Sequence, residues 1–448
     1  MQNEKVKYYQ LIPEKIYQDL ITIEDYIRPK IKGYLADNMK EVISIIACNI
    51  HKNDNYTSLK MIYIKKLVPQ GDKYLMALID LGIIKRSGYY TPRVASYKYN
   101  FAPEYESKYL RFPLNSAKLI RRIETAQKEF RNEAAKSVRR HSEQTKYLRR
   151  LLIDPEYEKF IESNYIQEMD QYNCILSSAT KIINGDIFFS IDSTSGRFHS
   201  NVTNMAKELR PFLRINNEPL INIDIKNSQP YLSTIILTNP SKVSWLTENP
   251  AFSMLLQDLK ISLNEDVKYY ISLVIYGNIY EYLMSEFAKE RLELTRDETK
   301  RQVLRILFAR NRMPKDEINR KCRQIFKDRF PTVHRIFSKV RGHEKGNKFQ
   351  NYKRFSILLQ RIESYLMLEV ILKRIYRELP GTIAITIHDS IMTGILTNNV
   401  DAVKRIMIEE LTFFIGFQPQ IKIERELKKI KREEITTKQY DTTTFVMN

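Results

Sequence analysis

One stretch constrains this chain more than any other: Ala384-Ile-Thr-Ile-His388-Asp389-Ser390-Ile391-Met392-Thr393-Gly394-Ile395, where a single carboxylate interrupts two apolar, β-branched runs. Such runs on either side of a polar pair predict strand, tight turn, strand, with Asp389 held rigidly and half exposed above a sheet. A second segment, Leu220-Ile-Asn-Ile-Asp224-Ile-Lys-Asn-Ser228-Gln229-Pro-Tyr231-Leu, repeats the logic: an apolar strand pattern runs into an acid and then turns polar. A strand-borne aspartate can bind Mg²⁺ when a second carboxylate reaches the same point. Two such aspartates with a lysine-bearing basic helix between them suggest metal-dependent chemistry on a phosphorylated substrate.

The chain has 448 residues, 43 % of them apolar and 11 % aromatic, enough for two or three globular domains. Its formal net charge of +20 is the largest anomaly of composition and points to a polyanionic partner, nucleic acid being the commonest. No apolar run approaches the roughly 20 residues of a membrane-spanning helix, and Met-Gln-Asn-Glu-Lys lacks a signal peptide's apolar core, so no membrane partner is expected. A soluble chain that is simply lysine-rich is the bland alternative. Cys48, Cys174 and Cys322, odd in number and far apart, describe neither a disulfide framework nor a zinc site. A reducing cytoplasm fits.

Residues 1–110 read as a small N-terminal unit. Asp72-Lys-Tyr-Leu-Met-Ala-Leu-Ile-Asp-Leu-Gly82 has helical spacing that stops at the glycine, and two β-like runs, residues 83–90 and 94–101, follow it. Helix followed by basic hairpin is the winged-helix pattern, which serves DNA reading or protein contact equally well. Residues 111–190 form a charged helical region with recurring pairs such as Arg121-Arg122, Arg139-Arg140 and Arg149-Arg150. That region is either a solvated helical hairpin or a thumb-like element gripping a duplex backbone. Residues 431–448 read as a flexible tail.

Further segments fall in a fixed order around the two aspartates: Ser193-Thr-Ser-Gly196-Arg197-Phe-His-Ser200, then Thr295-Arg296-Asp-Glu-Thr-Lys300-Arg301-Gln-Val-Leu304-Arg-Ile-Leu307-Phe308, then Phe326-Lys-Asp-Arg-Phe330-Pro331-Thr-Val333, and then Leu359-Gln360-Arg-Ile-Glu-Ser364-Tyr-Leu-Met367. This order resembles the palm and fingers of family A nucleic acid polymerases, the superfamily of polymerase I-type DNA polymerases and single-subunit phage-type RNA polymerases. The resemblance covers residues 191–430. It implies an α+β fold of right-hand polymerase architecture: an antiparallel palm sheet, mostly helical and reduced fingers, and a helical thumb.

The resemblance also implies roles. Asp224 and Asp389 would be the catalytic carboxylates, jointly holding two Mg²⁺ ions about 4 Å apart. Arg296 and Lys300, one helical turn apart, would bind the incoming triphosphate, with Phe308 where the family usually has a tyrosine. Arg197 and Gln360 would contact the primer–template minor groove, or serve as buried hydrogen-bonders. His388 would support the turn or the primer end. If Ser228-Gln229 matches the family's serine–glutamine, Tyr231 falls where a ribose 2′-hydroxyl is blocked; the family's usual glutamate is missing. The implied partners are primer–template DNA and nucleoside triphosphates, with other replication proteins as further candidates.

The expectation is a compact DNA-directed DNA polymerase without a proofreading exonuclease, replicating a phage or mobile element. Its rivals are a single-subunit RNA polymerase or primase, and a non-catalytic replication initiator that keeps a polymerase-like core.

Overall fold

The structure is a computed structural model that describes residues 8–50, 56–88, 96–342, 353–396 and 399–424. Its centre is an antiparallel sheet built on Glu218–Ile225. On one side this strand pairs with Ser390–Gly394, which pairs in turn with the edge strand Ala384–Ile387. On the other it pairs with Ile421–Glu424 near its end and with Leu213–Ile215 near its start. The sequence dictates this placement. Ile221, Ile223 and Ile225 are buried, while Asn222 and Asp224 between them are partly exposed. Successive strand residues point to opposite faces, so one face joins the core and the other presents the acid.

The expected strand–turn–strand at residue 389 is present, with His388 and Asp389 forming the connection. His388 takes φ +53°, a left-handed conformation uncommon for a side chain of that size. The free side of the edge strand, which is buried throughout, is partly satisfied from another element. Gln144 on the helix Ser142–Leu148 accepts from both the amide and the hydroxyl of Thr386, at 3.0 Å each.

Helices pack against the sheet's apolar face. Ser228–Thr238 is buried from Pro230 to Leu237 and lies against Glu265–Ile275, Arg354–Ser364 and Val400–Ile415. Arg354–Ser364 continues through a π-helical stretch, Tyr365–Ile371, into Leu372–Glu378. A second helical group, Arg296–Phe308, Glu317–Arg329 and Pro331–Arg341, packs on Ile279–Lys289 and Arg354–Ser364. Rings of Tyr270, Phe326, Phe330 and Phe337 fill the space beneath it, with centroids 5.2–6.1 Å apart.

In the N-terminal region, Ala36–Asn49, Met61–Leu67 and Gly71–Asp80 pack around a small sheet in the order Thr57–Ser58, Lys98–Phe101, Ile84–Ser87. The two hairpin strands are shorter than the runs 83–90 and 94–101, and residues 89–95 of that expectation lie outside the described residues. This region shares its core with the rest. The Asn184 side chain accepts from the Tyr9 amide and donates to the Tyr9 carbonyl, both at 2.8 Å. Within the charged stretch, Ala117–Ser137 is one long helix, whereas Leu151–Ile153 is a strand pairing with Leu213–Ile215 at the sheet's margin. Its arginines also serve internal ends: Arg122 donates to the carbonyls of Lys65 and Lys66. No helix of the described residues is long and apolar enough to cross a membrane.

Candidate active site

Asp224 and Asp389, 165 positions apart in the chain, meet because Asp224 stands in register with Ser390, the residue next to Asp389. Burial and then the Asp389 charge, followed by that of Glu424, push the Asp224 carboxyl from its usual value up to about 7. Lys300 and Lys207 act in the opposite direction. The charge of Lys300, on the helix Arg296–Phe308, therefore reaches the acid.

The third carboxylate escaped the sequence reading. Glu424 ends the closing strand opposite Asn222, receives an Asn222 Nδ2 hydrogen bond at 3.2 Å, and pairs with Lys422 and Lys207 at 3.4 and 3.5 Å. Its signal was available: Ile421-Lys-Ile-Glu424 alternates as Asn222-Ile-Asp224 does and ends in an acid. Arg210 was also missed. It is half-buried, desolvation lowers its pKa, and the charges of Glu424, Asp224 and Asp389 raise it; its Nε is buried without a hydrogen-bond partner.

Behind the acids lies a polar bridge. Arg197 grips Glu363 with Nε at 2.8 Å and Nη2 at 3.0 Å, and Gln229 donates to the same carboxylate. Gly196, just before Arg197, suits the turn because its φ of +72° is left-handed, a conformation glycine adopts without strain. Glu363 is only 2 % exposed, and burial plus the facing Asp389 charge push it up to about 8, against Arg197 and Gln229. Arg197 is half-buried, and Nε and Nη2 of its guanidinium are engaged with Glu363. Gln360 is half-buried one helical turn before Glu363. His388 stands near His199, ring centroids 5.9 Å apart, and burial and Arg197 lower its pKa to about 4, so it is neutral. Its Nδ1 is buried without a partner.

Tyr231, Phe308 and Arg296, among the expected nucleotide contacts, each have protein partners. Tyr231 is 1 % exposed and donates its hydroxyl to the Phe417 carbonyl at 2.8 Å, facing the core and not a sugar. The cause is its helix, apolar on nearly every side, which turns residue 231 inward. Phe308 is partly buried against the core near the end of its helix. Arg296 is paired with Glu281 at 2.7 Å.

No group of three or more His, Cys, Asp or Glu among the described residues is placed to hold a metal ion by itself. The donors present still suit Mg²⁺, which is typically held by one or two carboxylates plus substrate phosphates and water rather than by an all-protein cage. Asp224 and Asp389 repel each other, and the buried Oδ1 of Asn222 on the same face accepts no hydrogen bond. A cation relieves the first and can take up the second.

No protein-family model matches the chain, and no curated protein matches it. Among solved structures, the POL domain of Pol1 from M. smegmatis, in complex with DNA primer-template and dNTP, is similar over 93 % of this chain at 9 % identity and a TM-score of 0.32. The chain spans 66 % of that neighbour's length. A likeness of this size carries no argument about activity.

Proposed function

We propose that the chain is a template-directed nucleotidyltransferase, a compact DNA polymerase of family A-like design without a proofreading exonuclease. The observation that carries this reading is that the charges of Asp389 and Glu424 help to raise the strand-borne Asp224 while Lys300 opposes them. Asp224 and Asp389 would hold the divalent ions, with Asn222 and Glu424 beside them on the same face. When bound, the ions would supply the charge neutralisation and the lowered hydroxyl pKa that phosphoryl transfer requires.

The protein's own side chains contribute the rest. Lys300 and Arg296 supply positive charge where a triphosphate would lie, and Arg210 offsets the acids before substrate arrives. The Arg197–Glu363–Gln229 bridge fixes the glycine turn to the helix behind the site, so the acids keep their spacing. His388, neutral and held in a strained turn, fixes the orientation of Asp389. The N-terminal order of helix, strand, two helices and two strands, with the first strand beside the last, supports reading that region as a winged helix that engages nucleic acid or a replication partner. A phage or mobile element remains the proposed setting.

One observation favours a ribonucleotide variant of the same activity. With Tyr231 in the core and no glutamate after Asp224, neither blocking group faces the sugar. The test is extension of a labelled primer–template with Mg²⁺ and dNTPs or rNTPs in separate reactions. Extension by the wild type, lost in Asp224→Ala and Asp389→Ala, is expected. Equal extension by those variants, or none by the wild type with either sugar, contradicts the proposal.

A further inference from the structure

Arg296 is not held as a free surface cation. Its Nε donates to Glu281 Oε1 at 2.7 Å, and its guanidinium carbon lies 5.5 Å from the centroid of the Tyr280 ring. Both partners sit on the neighbouring helix Ile279–Lys289, whose first turn carries them next to one another. Tyr280 is only 2 % exposed, so its ring is a fixed support, and the Asp389 charge reaches it from the sheet. Gly277, at φ +76°, precedes this helix, and a Cβ there would meet the side chains of Lys226 and Asn227, in the turn that follows Asp224, at 3.6 and 3.7 Å.

Geometry gives this arrangement a consequence. A guanidinium has five N–H groups in a planar fork. A carboxylate on Nε fixes the plane of the fork and leaves donors of the two Nη atoms for another acceptor. An aromatic face beneath it restricts tilt. An arginine on a long, half-exposed side chain otherwise loses rotamer freedom on meeting its ligand.

We propose that Glu281 is a positioning residue that, together with the Tyr280 ring, pre-orients Arg296 for the phosphates of the incoming nucleotide. The proposal rests on the polymerase reading and adds a residue outside the segments that carry it. Glu281 does not touch the nucleotide; it acts through Arg296, and its loss lowers affinity without altering chemistry at the two aspartates.

The experiment measures equilibrium binding of a fluorescent deoxynucleoside triphosphate, with Mg²⁺ and a primer–template ending in a dideoxynucleotide, alongside steady-state extension. Glu281→Ala is expected to weaken binding and raise KM by about threefold to fivefold, the scale of a half-exposed ion pair, with kcat unchanged. Glu281→Gln, whose amide oxygen still accepts from Nε, recovers most of the loss. In an Arg296→Ala background, Glu281→Ala has no further effect, because the pair acts as one unit. An unchanged or tighter binding constant in Glu281→Ala, or an additive loss in the double variant, overturns the proposal. Lys300→Ala is the control that separates the two levels of the argument. If the wild type binds triphosphate and Lys300→Ala weakens it while Glu281→Ala does not, the positioning role fails and the polymerase reading stands. If the wild type binds no triphosphate, both fall.

Discussion

Two carboxylates among the described residues are pushed to about 7, chiefly by burial, Glu41 in the N-terminal region and Asp224 on the central sheet, and they differ in what answers their charge. Glu41 is 2 % exposed and has a donor on each oxygen, the Tyr8 hydroxyl at 3.0 Å and the Gln10 amide at 2.9 Å. Burial raises it while its hydrogen bonds pull it down. Asp224 is raised by burial and by two other acids, and opposed by lysines from separate elements. The first is a satisfied structural acid tying Ala36–Asn49 to Tyr9–Pro13; the second is a charge awaiting a counter-ion. A raised acid answered by hydrogen-bond donors in a packed core reads as structural, and one answered by lysines on separate elements reads as a candidate site.

The sharpest way to break this comparison is activity. Asp224→Asn is expected to reduce primer extension by about a thousandfold or more, the scale of losing a metal-ligating carboxylate, while Glu41→Gln extends at close to the wild-type rate. Comparable losses in both would erase the distinction.

Stability orders them the other way. Glu41→Ala removes the acceptor of the Tyr8 hydroxyl and one acceptor of the Gln10 amide beside a cavity, and should cost about 2–4 kcal/mol in denaturant unfolding. Asp224→Asn removes a repelled charge and should raise the melting midpoint in EDTA by roughly 2–4 °C. A destabilised Asp224→Asn would mean that the carboxylate is held by attraction instead.

The pH dependence sharpens the contrast. Glu41 binds its proton more tightly folded than unfolded, so the native state carries the extra proton between the unfolded value near 4.5 and the folded value of about 7. Stability from this group is complete below the lower value and is lost as pH rises through the higher. Glu41→Gln should flatten that decline in melting curves taken from pH 4 to 8; an unchanged slope would show that Glu41 titrates normally.

The smallest effect concerns Tyr231. Tyr231→Phe loses one hydrogen bond to Phe417, costs about 1 kcal/mol, and leaves the ratio of dNTP to rNTP use unaltered. A shifted ratio would return the ring to the sugar.

Much of the site was legible because it is written in short-range patterns. β-branched runs located Glu218–Ile225 and the hairpin at Asp389, and the Arg296–Lys300 spacing put two cations on one helix face. Thr295 and Glu298 form a capping box that fixes where this helix begins. What stayed hidden depends on distant pairings. Glu363 finds Arg197 across 166 positions with no local mark, and Glu424 joins Asn222 across 202, where the local pattern marks a strand ending in an acid but not its partner. The burial of Tyr231 was hidden for a different reason: Ser228–Thr238 is buried from Pro230 to Leu237, including Ser233 and Thr234, so its polar residues mark no exposed face from which to read direction.

The account's central claim, that Asp224 and Asp389 form one cation site, is tested most directly by melting the protein at pH 8 with and without Mg²⁺. The wild type should melt several degrees higher with Mg²⁺, and Asp224→Asn and Asp389→Asn should each abolish that rise while staying folded. A wild-type midpoint indifferent to Mg²⁺, or an equal rise in either variant, would contradict it.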